Sequence, residues 1–220
     1  MMQKAKLTLT AVALLTLLPI LQGCVPAIIG GAAVGVMSAH DRRSTGTQAD
    51  DETTEWKAGR HVPEQYKAAS HVNFTSYNRR VLITGEVPSE EAKSVIEAET
   101  RKIEGVREVY NELGVGPASS LGSRSTDSYI DSKVKARLVD SNQISANHIK
   151  VITERAIVHL MGMVNAREAK VAIDVARTTA GVKKVVNVLE VIADEDARRL
   201  DNQMLGARTP PPATAPVESR

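Results

Sequence analysis

Residues 80–87 have the sequence RVLITGEV, and residues 157–164, which lie 77 positions further on, have the sequence IVHLMGMV. Both stretches are rich in β-branched residues and end in Gly-x-Val, a pattern that predicts β-strands. After one deletion the match continues to Val115 and Val191, so the register is kept over about 45 residues. The same spacing aligns further identical pairs: His71 with His148, Glu91 with Glu168, Ala92 with Ala169 and Lys93 with Lys170. The chain therefore contains two copies of one domain.

Each copy has the same order of predicted elements. A short extended run pairs with the strand described above in a hairpin, and the hydrophobic period then changes to that of a helix. The helices end at Gly105 and Gly181, as expected for glycine just after a helix C-terminus. The remaining predicted strands are residues 72–77 and 107–115 in the first copy and residues 149–153 and 183–192 in the second. The repeated unit is thus β-β-α-β.

A helix is predicted to precede this unit and to cover its sheet. In the second copy it is indicated by three apolar residues within about 80° of helical arc, namely Ile130, Val134 and Leu138. In the first copy the equivalent segment, residues 51–66, contains Gly59 and Pro63, which weaken a continuous helix. We therefore predict an α+β fold of two tandem α-β-β-α-β domains with the first helix of domain 1 degraded. Each domain has a small mixed three-stranded sheet covered by two helices.

The domain boundaries follow from the repeat and from changes in composition. The predicted segments are a signal peptide at residues 1–23, a lipidated N-terminus and Gly/Ala-rich linker at 24–49, domain 1 at 50–115, a linker at 116–125, domain 2 at 126–192, and a polar extension with a Pro-rich disordered tail at 193–220. Residues 194–204 begin with three acidic residues and are compatible with a polar helix. Because units of about 65 residues barely form a core alone, we expect the two domains to pack on each other.

The N-terminus is typical of an exported protein. Lys4 and Lys6 precede an apolar run of about 15 residues, which is too short to span a membrane and ends at Leu21-Gln22-Gly23-Cys24. This ending resembles the bacterial lipobox, which implies cleavage before Cys24 and fatty acylation, including palmitate, on that residue. A plain signal peptide with an incidental cysteine is the alternative. With only 1 Cys in the chain, no intramolecular disulfide can form.

Composition argues against several classes of function. Removing Lys4 and Lys6 leaves 28 − 2 = 26 basic residues against 26 acidic ones, so no basic field indicates a nucleic-acid partner. Aromatic residues make up only 3% of the chain, which disfavours an extended stacking platform. The histidines lack local metal-ligand spacing, and no nucleophile motif or phosphate loop is present. We therefore predict a binding protein with no catalytic residues, no cofactor and no metal site.

Two α-β-β-α-β units behind a lipobox resemble the lipoproteins with two BON domains. The resemblance rests on the hairpin Gly-x-Val, the acidic-Ala-Lys helix start and the Gly-Val before each last strand. It extends to residues 41–48 and to Val109-Tyr110-Asn111-Glu112, and it covers most of the mature chain. It implies a non-enzymatic lipoprotein that binds anionic phospholipid, lies on the inner leaflet of the outer membrane and supports envelope integrity, in some members at division sites.

The resemblance assigns lipid contact chiefly to the first helix of the second domain. With Ile130, Val134 and Leu138 turned inward, the predicted lipid-binding residues are Tyr129, Ser132, Lys133 and Ala136 on the outward face, with Lys135 and Arg137 on its flanks. An aromatic ring beside cations suits the headgroup region, where each Lys or Arg contributes roughly 1 kcal/mol near an anionic surface. The alternative is that Tyr129 packs on the neighbouring domain and that the cations form an ordinary solvated face.

Two further expectations concern location and partners. The residue after the cysteine is Val25 and not the aspartate that retains lipoproteins in the inner membrane of enteric bacteria, which favours a lipid anchor on the periplasmic face of the outer membrane. The alternative function is a protein-interaction scaffold that assists outer-membrane protein assembly or regulates cell-wall hydrolases, with the paired sheets as docking surface. An enzyme acting on the cell wall is disfavoured by the missing catalytic constellation.

Overall fold

The computed structural model describes residues 41–206 of the 220-residue chain. The predicted signal peptide, Cys24, the Gly/Ala-rich stretch and the Pro-rich tail lie outside the described residues. No helix within residues 41–206 is sufficiently long and apolar to cross a membrane.

Domain 1 forms a mixed sheet with strand β2 at its centre. Its elements are α1 (Thr45–His61), α2 (Glu64–Lys67), β1 (His71–Tyr77), β2 (Arg80–Val87), α3 (Glu90–Arg101), β3 (Glu108–Asn111) and β4 (Gly114–Val115). Strand β1 is antiparallel to β2, while β3 and β4 are both parallel to it. The third predicted strand is therefore present in two short parts, which gives a sheet of four strands in place of three.

Domain 2 repeats this arrangement with an uninterrupted third strand. Its elements are α4 (Leu121–Asp140), a 3₁₀ turn (Ala146–His148), β5 (Ile149–Glu154), β6 (Ile157–Val164), α5 (Ala166–Arg177), β7 (Lys184–Val191) and the following helix α6 (Asp194–Gly206). Strand β5 is antiparallel to β6, and β7 is parallel to it. The predicted α+β class and its two mixed sheets are confirmed, and helix α6 occupies the segment where a polar helix was considered.

The two sheets pack against each other, as expected for two small domains. One face of each sheet is covered by that domain's own helices, while a separate apolar cluster joins the opposite faces. This cluster includes Tyr77 and Leu82 of domain 1 and Met161 and Val188 of domain 2. Strands buried on both faces have continuous apolar runs and lack alternation, which explains the sequences of β2 and β6.

The expectation that the first helix of domain 1 is degraded is wrong. Helix α1 is continuous over 17 residues and begins at Thr45, inside the segment predicted as linker. Gly59 lies exposed in its last turn, and Pro63 follows its C-terminus, so neither interrupts it. Its buried residues are Asp51, Thr54 and Ala58, so it has no apolar stripe that a sequence pattern could reveal.

The segments between the folded elements are also shorter than the predicted linkers. Residues 41–43 pack on the folded domains, with Asp41 and Arg42 both buried. Helix α4 begins at Leu121, inside the predicted linker 116–125, because the side chain of Ser120 accepts a hydrogen bond from the backbone N–H of Ser123 and caps the helix.

Candidate lipid-contact face

Helix α4 presents two different faces. Its inward stripe, Ile130, Val134 and Leu138, is buried in the core of domain 2. Of the residues predicted to bind lipid, Tyr129 has 65% of its surface exposed. Ser132, Lys135, Ala136 and Arg137 are also exposed, and Lys133 is half-buried. The alternative in which Tyr129 packs on the neighbouring domain therefore does not hold for the part of the chain that the structure describes.

The outward face has a second line of exposed apolar side chains, here called the apolar stripe, which was not predicted from the sequence and in which the exposed Ser125 and Ser132 are interspersed. Leu121 is 81% exposed and Val139 is 59% exposed, and both share the face of Tyr129 and Ala136. At 100° per residue these four positions fall within about 80° of arc, opposite the buried stripe. Large exposed apolar side chains grouped on one helix face indicate a contact surface. Plotting all apolar residues of the helix, and not only the core stripe, would have revealed it.

Two of the predicted cations have a structural role beside this stripe. The Lys133 ammonium lies 4.6 Å from the centroid of the Tyr129 ring and donates a hydrogen bond to the carbonyl oxygen of Ala180. The Arg137 guanidinium donates to the Val175 carbonyl oxygen at 3.0 Å, and also to the hydroxyls of Thr178 and Thr179. These groups lie at the C-terminal end of helix α5, whose free carbonyls and dipole favour cations.

The arrangement gives the apolar stripe a cationic border on both sides. Lys135 lies on the opposite flank, where its ammonium pairs with Asp131 at 2.7 Å and keeps about half of its side chain exposed. The contacts of Lys133 and Arg137 hold their charges in place without removing them from the surface. An apolar strip between fixed cations can enter a headgroup layer while its borders meet phosphate groups.

Helix α4 is fixed on its sheet by a buried carboxylate. Asp127, which is 5% exposed, accepts hydrogen bonds from the backbone N–H groups of Arg155 (3.0 Å) and Ala156 (2.8 Å) in the β5–β6 turn. Both turn residues have positive φ, at 52° and 61°. Their N–H groups point away from the hairpin ladder and need an acceptor.

Domain 1 uses the same device at its own hairpin turn. Asp51 of helix α1 accepts from the backbone N–H groups of Asn78 (2.7 Å) and Arg79 (2.9 Å). Neither aspartate was predicted from the sequence. The available signal was an acidic residue in each first helix, 27 or 28 positions before its turn.

Residues 41–43, here called the strap, lead from the predicted anchor into the folded domains. Arg42 is 3% exposed and donates to Glu168 at 2.6 and 2.9 Å, to Asp201 at 2.8 and 2.9 Å, and to the carbonyl oxygen of Met163 at 3.0 Å. Burial alone would lower the pKa of Arg42 and raise that of Glu168. The hydrogen bonds outweigh burial, so the pKa of Arg42 is raised and that of Glu168 is lowered. The hydrogen bonds from Arg42 also lower the pKa of Asp201.

The other strap residues bind domain 1. The guanidinium of Arg43 lies 3.9 Å from the centroid of the Tyr77 ring and pairs with Asp51 at 2.7 Å. The hydroxyl of Tyr77 donates to Asp41 at 3.0 Å. The strap therefore contacts both domains, and Cys24 lies 42 − 24 = 18 positions before Arg42 in the sequence.

Comparison with known proteins agrees with the repeat and the fold. The model of the BON domain family matches residues 50–117 and 126–193. The chain is 44% identical over 174 residues to the outer membrane lipoprotein DolP of Haemophilus influenzae, covering 78% of this chain and 90% of that protein. It is 35% identical over 154 residues to the 21 kDa hemolysin of Actinobacillus pleuropneumoniae, covering 69% and 79%. It is 31% identical over 112 residues to the osmotically-inducible protein Y of Escherichia coli, covering 50% and 53%.

The family assignment rests on extent as well as identity. Both halves of the repeat are matched separately, and the similarity to an outer membrane lipoprotein extends over most of both chains, which supports a place in the cell envelope. The chain belongs to the BON-domain family and contains two copies of that domain.

Proposed function

We propose that this chain is an outer-membrane lipoprotein, held on the periplasmic face by acyl chains on Cys24, whose second BON domain binds anionic phospholipid through helix α4. Its role is to maintain outer-membrane integrity, including at division sites, by binding and not by catalysis. The observation that carries the proposal is the exposed stripe Leu121, Tyr129, Ala136 and Val139 between flanking cations. The name of the DolP relative supports the location.

The attraction of this face for a membrane is weak on its own. The cations of α4 contribute roughly 1 kcal/mol each near an anionic leaflet, and this contribution is screened over about 8–10 Å at physiological salt. The apolar stripe adds burial of Tyr129 at the headgroup level, where amphipathic rings are favoured. A free domain with such a face would bind reversibly and would depend on lipid charge.

The anchor makes this weak attraction useful. The chain between Cys24 and Arg42 can reach at most about 60 Å, which confines helix α4 near the bilayer surface. Confinement raises the effective concentration of the face at the membrane without any new contact. The strap fixes the point at which this tether meets the folded domains, since Arg42 is held by domain 2. Helix α4 can then respond to lipid charge while the acyl chains supply permanent attachment.

Co-sedimentation with vesicles tests the proposal. The chain from residue 25 onward, which lacks the anchor, should bind vesicles containing phosphatidylglycerol and should bind pure phosphatidylcholine vesicles much more weakly. Tyr129→Ala should weaken binding about five- to tenfold, because the exposed ring loses roughly 1–1.4 kcal/mol of interfacial burial. Trp56→Ala is the matched control, since Trp56 is 59% exposed on α1 and carries Arg60 at 3.5 Å from its ring centroid.

Two outcomes contradict the proposed face. One is binding that is independent of the anionic lipid content, and the other is equal loss of binding in Tyr129→Ala and Trp56→Ala. Circular dichroism spectra and melting temperatures of both variants should match those of the parent chain, because both side chains are on the surface.

A protein-interaction scaffold for outer-membrane protein assembly, or for regulation of cell-wall hydrolases, is the second candidate. The inner faces of the paired sheets are buried against each other, so they cannot serve as its docking surface. The observation that favours it is the exposed Trp56–Arg60 pair on α1 of domain 1. A photo-crosslinking amino acid at position 56 should then capture a stoichiometric protein partner in intact cells, and its failure to do so would leave α1 without this role.

A further inference from the structure

Three metal-ligating side chains meet where the two domains join. They are His71 from strand β1, Glu86 from strand β2 and Glu154 at the end of strand β5. One ligand atom from each lies within 4.8 Å of those of the others. His71 and Glu86 are cross-strand partners in domain 1, whereas Glu154 belongs to domain 2. The cluster therefore depends on the packing of the two domains.

Two polar atoms of this cluster are buried without a hydrogen-bond partner among the described residues, whereas Glu154 Oε2 accepts a hydrogen bond from Nδ2 of Asn73 at 3.2 Å. Glu86 is 2% exposed, and its Oε2 accepts a hydrogen bond from the backbone N–H of Ser119 at 3.1 Å. Among the described residues, no donor makes a hydrogen bond to Glu86 Oε1 or to His71 Nδ1. The nearest cationic atom to Glu86 Oε1 is Nε of Arg155, at 3.8 Å. Buried polar atoms without partners are costly, and such atoms point to a ligand.

Two glycines create the close approach of these groups. Gly85 has a φ of +115°, and a Cβ at this position would collide with the carbonyl oxygen of His71. A Cβ at Gly114 would collide with the guanidinium of Arg155. The absence of a Cβ at Gly85 thus lets β1 approach β2 closely beside His71, and the same contact occurs in domain 2 between Gly162 and the carbonyl oxygen of His148.

The second copy of the domain provides an internal comparison. His148, the repeat equivalent of His71, also lies beside two carboxylates, at 4.0 Å from Glu168 and 3.7 Å from Asp201. There the guanidinium of Arg42 fills the space between the acids. Around His71 the acids are Glu86 and Glu154, which are not the repeat equivalents of Glu168 and Asp201, and the cation beside them is Arg155, whose Nε lies 3.8 Å from Glu86 Oε1. This cation is held less closely than Arg42, which donates to Glu168 at 2.6 Å.

The charges of the cluster also favour a cation. Glu86 and Glu154 each offer a carboxylate oxygen within 4.8 Å of the other, so their negative charges repel at close range. A divalent ion would offset both charges at once.

We propose that His71, Glu86 and Glu154 form a site for a divalent transition metal of the Zn²⁺ type that links domain 1 to domain 2. Imidazole and carboxylate ligands suit Zn²⁺, whereas Mg²⁺ and Ca²⁺ prefer oxygen ligands alone. Ligand atoms 2.0–2.2 Å from zinc lie about 3.4 Å apart in a tetrahedron. His71 Nδ1 and Glu86 Oε2 are already 3.4 Å apart, so mainly Glu154 must move.

The surroundings of the site agree with such an ion. His71 and Glu154 line a cleft of about 520 Å³ that also includes Asp127 and Asp131 of helix α4. The cleft gives solvent access for metal entry and for a water as fourth ligand, and its charged lining is mixed, since it also includes Arg124. Because the ligands come from both domains, the metal would stabilise the interface that supports the base of helix α4. The spacing of ligands in the sequence does not reveal this cluster, since His71 and Glu154 are 154 − 71 = 83 positions apart.

Direct metal binding tests the proposal. The full chain is purified in detergent with Cys24→Ala, which removes its only thiol, then treated with EDTA and dialysed against Zn²⁺ or Mg²⁺. We expect about one Zn²⁺ per chain by mass spectrometry and no retained Mg²⁺. At free Zn²⁺ of 100 times Kd the melting temperature should rise by roughly 5–10 °C. Co²⁺ should give the visible absorption bands of a tetrahedral site.

Variants distinguish this site from adventitious binding. Glu154→Gln and His71→Gln should each abolish retained Zn²⁺ and the thermal shift, whereas His61→Gln, at an exposed histidine, should change neither. The Co²⁺ spectrum of the parent chain keeps the test valid if a variant folds poorly. Absence of the tetrahedral bands, Zn²⁺ retention that survives Glu154→Gln, or equal effects of His61→Gln and His71→Gln would overturn the proposal.

Discussion

Replacement of Arg42 by alanine should destabilise the whole described unit, although the residue lies outside both repeats. Its guanidinium makes five hydrogen bonds, four of them to the carboxylates of Glu168 and Asp201. Removing one partner of a buried ion pair costs about 3–5 kcal/mol, because the other charge is left buried. Here the side chain of Glu168 is 13% exposed, but that of Asp201 is 38% exposed and can be rehydrated.

This difference in burial places the expected cost at the low end of the range. We expect Arg42→Ala to lower the free energy of unfolding by about 3 kcal/mol, mostly through Glu168. For a unit of this size that corresponds to a fall in melting temperature of roughly 6–12 °C. A fragment that begins at residue 45 should show at least the same loss of unfolding free energy, since it lacks the whole strap.

Urea denaturation followed by circular dichroism measures this effect. Arg199→Ala is the control, because Arg199 pairs with Asp196 on the same helix α6 but is 66% exposed, and such pairs contribute about 0–1 kcal/mol. A loss below about 1 kcal/mol for Arg42→Ala, or a loss equal to that of Arg199→Ala, would refute the structural role of the strap.

Two further predictions concern the turn aspartate and the buried histidines. Asp127→Ala should lower the free energy of unfolding by about 2 kcal/mol in urea denaturation, because two N–H groups of the turn at 155–156 lose a charged acceptor. The control Asp50→Ala, at an exposed aspartate, should change this free energy by less than about 0.5 kcal/mol. Equal losses would contradict the turn-capping role. Burial lowers the pKa of His148 and of His159, so their contribution to stability is present above about pH 6.5 and is lost as the pH falls below it. The urea midpoint should therefore be lower at pH 5.5 than at pH 8, and the difference should be larger in the parent chain than in the His148→Gln variant. A urea midpoint that does not change with pH would contradict this prediction.

The repeat and its sheets were predictable because they rest on local patterns. Strands β2 and β6 combine β-branched residues with a fixed 77-residue spacing, and their continuous apolar runs reflect burial on both faces. Helix α4 was predictable for the same reason, since its inward stripe repeats at helical spacing.

Features that rest on polar contacts could not be predicted in this way. Helix α1 buries Asp51 and Thr54, so its sequence has no apolar period, and the break suggested by Gly59 does not occur because this residue lies in the last turn of the helix. The strap was predicted as a linker because Arg42, its most buried residue, is bound by residues 121 to 159 positions away in the sequence. Sequence spacing cannot reveal an ion pair between segments that only the fold brings together.

The two copies differ in the exposed apolar side chains of their first helices, and this difference supports the proposal that lipid contact belongs to the second copy. Among the residues described, helix α4 exposes Leu121, Tyr129 and Val139, whereas Trp56 is the only large exposed apolar side chain of α1. Helix α1 exposes two acids, Asp50 and Glu52, and two bases, Lys57 and Arg60, so its exposed charge is balanced and does not favour an anionic leaflet. An aspartate on each helix caps the hairpin turn of its own domain, but the other buried residues differ, with Thr54 and Ala58 on α1 and Ile130, Val134 and Leu138 on α4. Helix α1 also binds the strap through Asp51, whereas α4 keeps the exposed face that we propose to bind lipid.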